Sequence, residues 1–137
     1  MREILFKAKR LDNEEWVEGN LIQTTYFGEV RSWISTPSDP TRLRAISTYY
    51  GDWRAVEVHT DTLCQYTGLT DKNGNKIWEN DIVKMTYRDN DYEIGLIRYD
   101  AEDVRYRFCV DDAQYCFDRT DTTEVIGNIF DNADLLQ

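Results

Sequence analysis

Asp89, Asp91 and Glu93 stand two residues apart, and in an extended segment that spacing sets three carboxylates on one side. Such a row could pair as general acid and base, or hold a divalent cation in a metal-dependent hydrolase. It lacks the glycine and the terminal bidentate glutamate of an EF-hand loop, so that calcium geometry is excluded. Two further acidic groups lie at residues 100–103 and at Asp111-Asp112. Charge runs of this kind mark solvated tips, and all three are read that way.

Nucleophile and soft-metal chemistry find less support. The three cysteines, Cys64, Cys109 and Cys116, include no Cys-x-x-Cys pair, and His59 is the only histidine. A Cys64–His59 couple would need a hydrogen-bonded base and an orienting third group, and the sequence points to neither. Three cysteines without a signal-peptide core in MREILFKAKR read as free, buried thiols of a reducing cytosol. Cys109 and Cys116 could meet across a hairpin. There is no phosphate-binding glycine loop, dinucleotide fingerprint, nucleophile elbow or zinc-protease helix, and no acid two residues before a lysine. No catalytic residue, metal or cofactor is expected, and the chain reads as a non-enzyme.

Two other groups could carry function. Trp33, Tyr49, Tyr50 and Trp53 gather around a connection punctuated by Pro37 and Pro40. Rigid aromatics in such a place are candidate anchors for a protein partner, although half-buried strands use the same residue types for packing. Residues 65–84 hold a dense turn motif. Gly68 and Gly74 permit positive φ, Asp71 and Asn73 can bond their own turn backbone, and Asn80-Asp81 forms a second tight turn. Ile77, Ile82 and Val83 would face a core, so the motif reads as structural.

These groups need a scaffold, and the pattern is that of strands. Alternation or β-rich composition marks residues 2–9, 16–22, 30–35, 44–50, 55–58, 76–78, 82–87, 92–99, 105–110 and 124–130. The first of these sets Ile4, Phe6 and Ala8 on one face. Asp131 or Asn132 could cap one helical turn at the C-terminal end. Short strands at roughly ten-residue spacing, without sustained helical periodicity, predict an all-β barrel or roll. The 137 residues suit one continuous domain or two lobes, 1–64 and 65–137.

Charge narrows the partners. The net charge is −10, and residues 61–137 hold 17 acids against 8 bases, a net of −9. Such a surface repels phosphate backbones, so direct nucleic-acid binding is not expected. No stretch approaches the ~20 apolar residues of a membrane helix, and a cytoplasmic protein is expected. Unpaired strand edges leave a homo-oligomer open.

Three stretches, ILFKAKRLDNEEWVEG near the start, QYTGLTDKNGNKIWENDIVK in the centre and EVIGNIFDNADLL near the end, resemble the YopX family of small phage and prophage proteins. The chain departs from that family's usual pattern at Asn80, where glycine is commoner, but asparagine tolerates the same left-handed turn. The resemblance implies an SH3-like β-barrel or roll in the C-terminal half, with N-terminal β-strands packed against it and at most short helical turns. It also implies a bacterial host, and it carries over no catalytic residue. The resulting expectation is a non-enzymatic accessory module that binds a host or phage protein or assembles with itself. The alternatives are an acidic decoy for a host DNA-binding protein and the metal-dependent hydrolase.

Overall fold

A computed structural model describes residues 3–36, 44–48, 51–117 and 121–137, with backbone alone for 44–48 and 51–54. The described chain is all-β and antiparallel, broken only by 3-10 turns at Thr60–Thr62, Arg88–Asn90 and Ala133–Leu136. No helix among these residues is long and apolar enough to cross a membrane. Two compact units divide the chain, Met1–Gln65 and Tyr66–Gln137.

The first unit contains β1 (Phe6–Lys9), β2 (Trp16–Tyr26), β3 (Glu29–Ser35), β4 (Arg44–Thr48) and β5 (Gly51–Val58), in the order β4-β5-β3-β2-β1. The opening residues of β6 (Cys64–Thr70) pair with the other side of β1, Phe6 with Gln65 and Lys7 with Cys64. An isolated bridge between Arg10 and Val58 also brings the chain just after β1 to the end of β5. Ala8, Ile34, Val56 and Val58 form the core, flanked by Phe6, Val17, Leu21 and Leu63. The expected first strand is shorter than its alternation suggests, because Ile4 lies before β1 and is 61% exposed. Ser32 is fully buried but satisfied, its hydroxyl 2.8 Å from Thr60 Oγ1.

The second unit continues β6 into a hairpin with β7 (Lys76–Trp78) and adds β8 (Asp81–Thr86), β9 (Tyr92–Asp100), β10 (Arg105–Val110), β11 (Ala113–Cys116) and β12 (Thr123–Asn128). The last five form one sheet, ordered β11-β10-β9-β8-β12. Ile77, Val83, Met85, Ile97, Phe108 and Phe117 make its core. Among the described residues no strand pairing closes this sheet into a barrel, and β11 and β12 stand at its edges. β11 was not anticipated, because Ala-Gln-Tyr-Cys has no apolar alternation and all four residues are exposed. The C-terminal turn is present, but neither expected residue caps it by a side chain. Asn132 holds the N-cap position, and its Oδ1 instead accepts the Asn128 N–H at 3.2 Å.

Candidate functional site

β2 and β3 pair continuously from Asn20 with Ser35 to Tyr26 with Glu29. Their outer neighbours stop early: β1 covers only residues 16–19 of β2, and β5 covers only residues 32–34 of β3. Residues 23–31 therefore form a two-stranded ribbon with no further strand paired to either side among the described residues. A two-stranded ribbon in water is marginal by itself, so its base must be held. Arg31 does this by forking onto Glu57, with Nε and Nη2 at 2.8 and 2.6 Å from the two carboxylate oxygens. The guanidinium also lies 5.3 Å from the Trp33 ring centroid.

The arm turns at Phe27 and Gly28, whose φ values are 50° and 79°. Two left-handed central residues match the twist of a tight hairpin, and Asn-Gly is the usual solution because a bulky side chain is disfavoured there. Phenylalanine occupies the position nonetheless, and its side chain is 92% exposed. Tyr26 beside it is 73% exposed, the two rings packing edge to face with centroids 4.4 Å apart. Folding therefore gains little from either ring. Tyr26 and Phe27 were visible in the sequence only as aromatic content. The usable signal was Phe-Gly at a two-residue turn between alternating strands.

Of the aromatics singled out earlier, only Trp33 has its side chain among the described residues. Trp33 is half-buried, and its indole Nε1 is buried without a hydrogen-bond partner. Tyr49 and Tyr50 lie outside the described residues, as does the Trp53 side chain.

In the turn motif Asp71 accepts from its own turn backbone, whereas Asn73 takes part through its backbone N–H. Gly68, Gly74 and Asn80 have φ of 89°, 83° and 71°. Asp71 is only 5% exposed, and its Oδ1 accepts the backbone N–H of Asn73 and of Asn75, both at 2.9 Å. Its Oδ2 accepts the N–H of Val125 on β12 at 3.0 Å, and Lys72 N–H donates to Thr123 O at 3.0 Å. Burial alone would raise the Asp71 carboxyl, but the hydrogen bonds from Val125, Asn75 and Asn73 outweigh it and hold the pKa below the ordinary value. Asp81 is 2% exposed and accepts the Trp78 N–H at 2.8 Å. Both aspartates are thus occupied by backbone donors of their own unit.

The carboxylate row does not form. Asp89 and Asn90 take φ of 60° and 65°, so the chain turns and the alternation is lost. Asp89 and Asp91 are exposed, whereas Glu93 is half-buried in β9 and hydrogen-bonded to the Tyr87 hydroxyl. Burial, followed by the nearby Glu93 charge, pushes the Tyr87 hydroxyl above its ordinary pKa. Among the described residues no three His, Cys, Asp or Glu side chains cluster as a metal site.

The family model described as YopX protein matches residues 5–137. The chain belongs to the YopX family. The match takes in both the arm and the Asp71 turn of this YopX chain. Its fold is similar to the crystal structure of protein EF1440 from Enterococcus faecalis, at a TM-score of 0.57 and 23% identity, with 100% of each chain covered. No curated protein sequence matches it.

None of the three cysteines of this YopX-family chain is in a disulfide, and they are not all buried as expected. Cys64 is buried, Cys109 intermediate and Cys116 exposed. Cys109 and Cys116 do not face one another, since the register sets Cys109 opposite Gln114 and Arg107 opposite Cys116. His59 does not serve Cys64 either. Its Nε2 lies 2.7 Å from Glu14 Oε1, while Cys64 Sγ donates to Thr62 O at 3.3 Å. Burial raises the Cys109 thiol, and Arg98 and Arg107 only partly offset that. Timed iodoacetamide labelling followed by peptide mass spectrometry should modify Cys116 first, Cys109 next and Cys64 last. Early labelling of Cys64 would contradict the burial pattern.

Proposed function

We propose that this YopX-family chain is a non-enzymatic accessory module of phage or prophage origin, acting in the bacterial cytoplasm. It binds a protein partner through the β2–β3 arm, and its second unit serves as an SH3-like roll that supports the fold. The observation that carries this reading is Phe27, a large aromatic side chain 92% exposed at a left-handed turn position. A bulky residue in that conformation, with almost no burial in return, points to use outside the fold.

The partner has an apolar pocket with a basic rim. Glu29 is the charged residue next to the two rings, and the chain as a whole carries −10, which attracts a cationic surface and repels a second copy. A lipid surface fits poorly, because interfacial binding draws on unpaired cations, and Arg31 at the base is engaged by Glu57.

The test places a photoreactive benzoylphenylalanine at position 27 in bacterial cells, with a matching probe at Val104, which is 72% exposed in the other unit. The expected result is one basic protein cross-linked from position 27 and not from position 104, whose purified form binds the chain and loses affinity for Phe27→Ala. Cross-linking only to a second copy or to lipid, or equal products from both positions, would overturn the proposal.

A further inference from the structure

Three arginines share one face of the second unit's sheet. In the pairing of β9 with β10, Arg107 lies directly opposite Arg98 and Arg105 opposite Asp100. Arg105 and Arg107 are two apart on β10, so Arg98, Arg105 and Arg107 all point away from the core face that carries Phe108 and Ile97. On the next strand Cys116 pairs with Arg107 and joins the same face. Like charges set directly opposite are unfavourable, and the fold gains nothing from that choice.

Among the described residues, the acids of this unit leave the cluster incompletely neutralised. Arg107 meets Asp100 Oδ2 through Nε at 3.3 Å and Asp103 through Nη2. Its remaining Nη1 points at Cys116 Sγ, 3.7 Å away, and Arg105 Nη1 points at the same sulfur at 3.7 Å. A thiol is a weak acceptor, so two guanidinium forks converge on an atom that satisfies neither. Among the described residues Arg98 and Arg105 have no carboxylate partner, although residues 61–137 contain 17 acids. Both are exposed.

We propose that this face binds a phosphate group, held by Arg98, Arg105 and the Nη1 of Arg107, whose weak thiol acceptor Cys116 the phosphate oxygens would replace. Two forks and one further N–H reaching from two strands suit a tetrahedral group with several charged oxygens, whereas a planar carboxylate engages one fork well, as Glu57 does at Arg31. The chain's overall charge opposes a free anion at a distance, but that field is screened beyond about 8 Å at physiological salt, so contact decides. The site lies in the second unit and does not depend on the arm.

The experiment uses the full chain at constant ionic strength, titrated separately with inorganic phosphate, glycerol phosphate and acetate against chloride. Arginine Nε–Hε NMR shifts report binding, and slowed iodoacetamide labelling of Cys116 reports occupancy. Saturable shifts with phosphate but not acetate are expected, weakened about tenfold by Arg98→Gln or Arg105→Gln and unchanged by Arg88→Gln, which removes the same charge elsewhere. Tighter binding of glycerol phosphate would assign the site to phosphate esters, and the reverse to the free ion. Unsaturable shifts, an equal response to acetate, or an equal loss in Arg88→Gln would overturn the site.

Discussion

Asp71→Ala is expected to destabilise the second unit by about 4 kcal/mol, because it leaves buried backbone donors without an acceptor. The carboxylate is 5% exposed and receives three backbone N–H groups, from Asn73, Asn75 and Val125, each within 3.0 Å. Two of these close the β6–β7 turn, and the third fastens that turn to β12. Asp71→Asn keeps one oxygen and should fall between the two, at about 2 kcal/mol, since its amide nitrogen cannot accept the third bond. The loss has a definite pH dependence. The folded carboxyl titrates below the ordinary 3.8, so folding favours its charged form. That stabilisation is complete above the unfolded pKa and disappears as the pH falls through the lower folded value. Urea unfolding followed by tryptophan fluorescence should show the full gap between wild type and Asp71→Ala at pH 7, narrowing below pH 3.8. A gap under about 1 kcal/mol at pH 7 would mean that the turn finds other acceptors.

The same turn shows why some of the molecule was legible from its residues. Gly68, Asp71, Asn73, Gly74, Asn80 and Asp81 act within a few residues of themselves, and local chemistry of that kind is written in local sequence. What could not be read was the distant half, the Asp71 bond to Val125, which depends on β12 arriving from 54 residues away. The alternating strands β9 and β10 were clear for a similar reason, since each buries one face. β11 was not, because an edge strand exposed along its whole length has no pattern to show. Asp89, Asp91 and Glu93 form no row because period-two spacing aligns side chains only while the backbone stays extended, and two left-handed residues end that; Asp89 and Asp91 are exposed, as read for a solvated tip. Trp33 stands out in the sequence by its place beside a loop-rich connection and is half-buried, whereas Phe27 is informative by the conformation it accepts and the burial it lacks.

Phe27→Asn should separate stability from binding more sharply than any other change in the arm. Asparagine tolerates the left-handed region, so relief at φ 50° should leave unfolding free energy unchanged or raise it by about 0.5–1 kcal/mol. The ring gives up little in return, because it is 92% exposed and touches Tyr26 edge-on. Against the purified partner, removal of an aromatic anchor should weaken binding by about 2 kcal/mol or more, roughly thirtyfold. Glu29→Gln should act differently, slowing association and reducing its salt dependence while dissociation changes little, because a rim charge steers encounter rather than fills a pocket. Paired urea unfolding and binding kinetics on the two variants read all of these quantities. A fall of more than about 1 kcal/mol in the stability of Phe27→Asn would place the ring among the structural contacts of the hairpin. Equal partner affinity with and without the ring would remove the arm as the docking element. Unchanged stability together with lost affinity in Phe27→Asn would show that the ring acts on what it touches outside the chain.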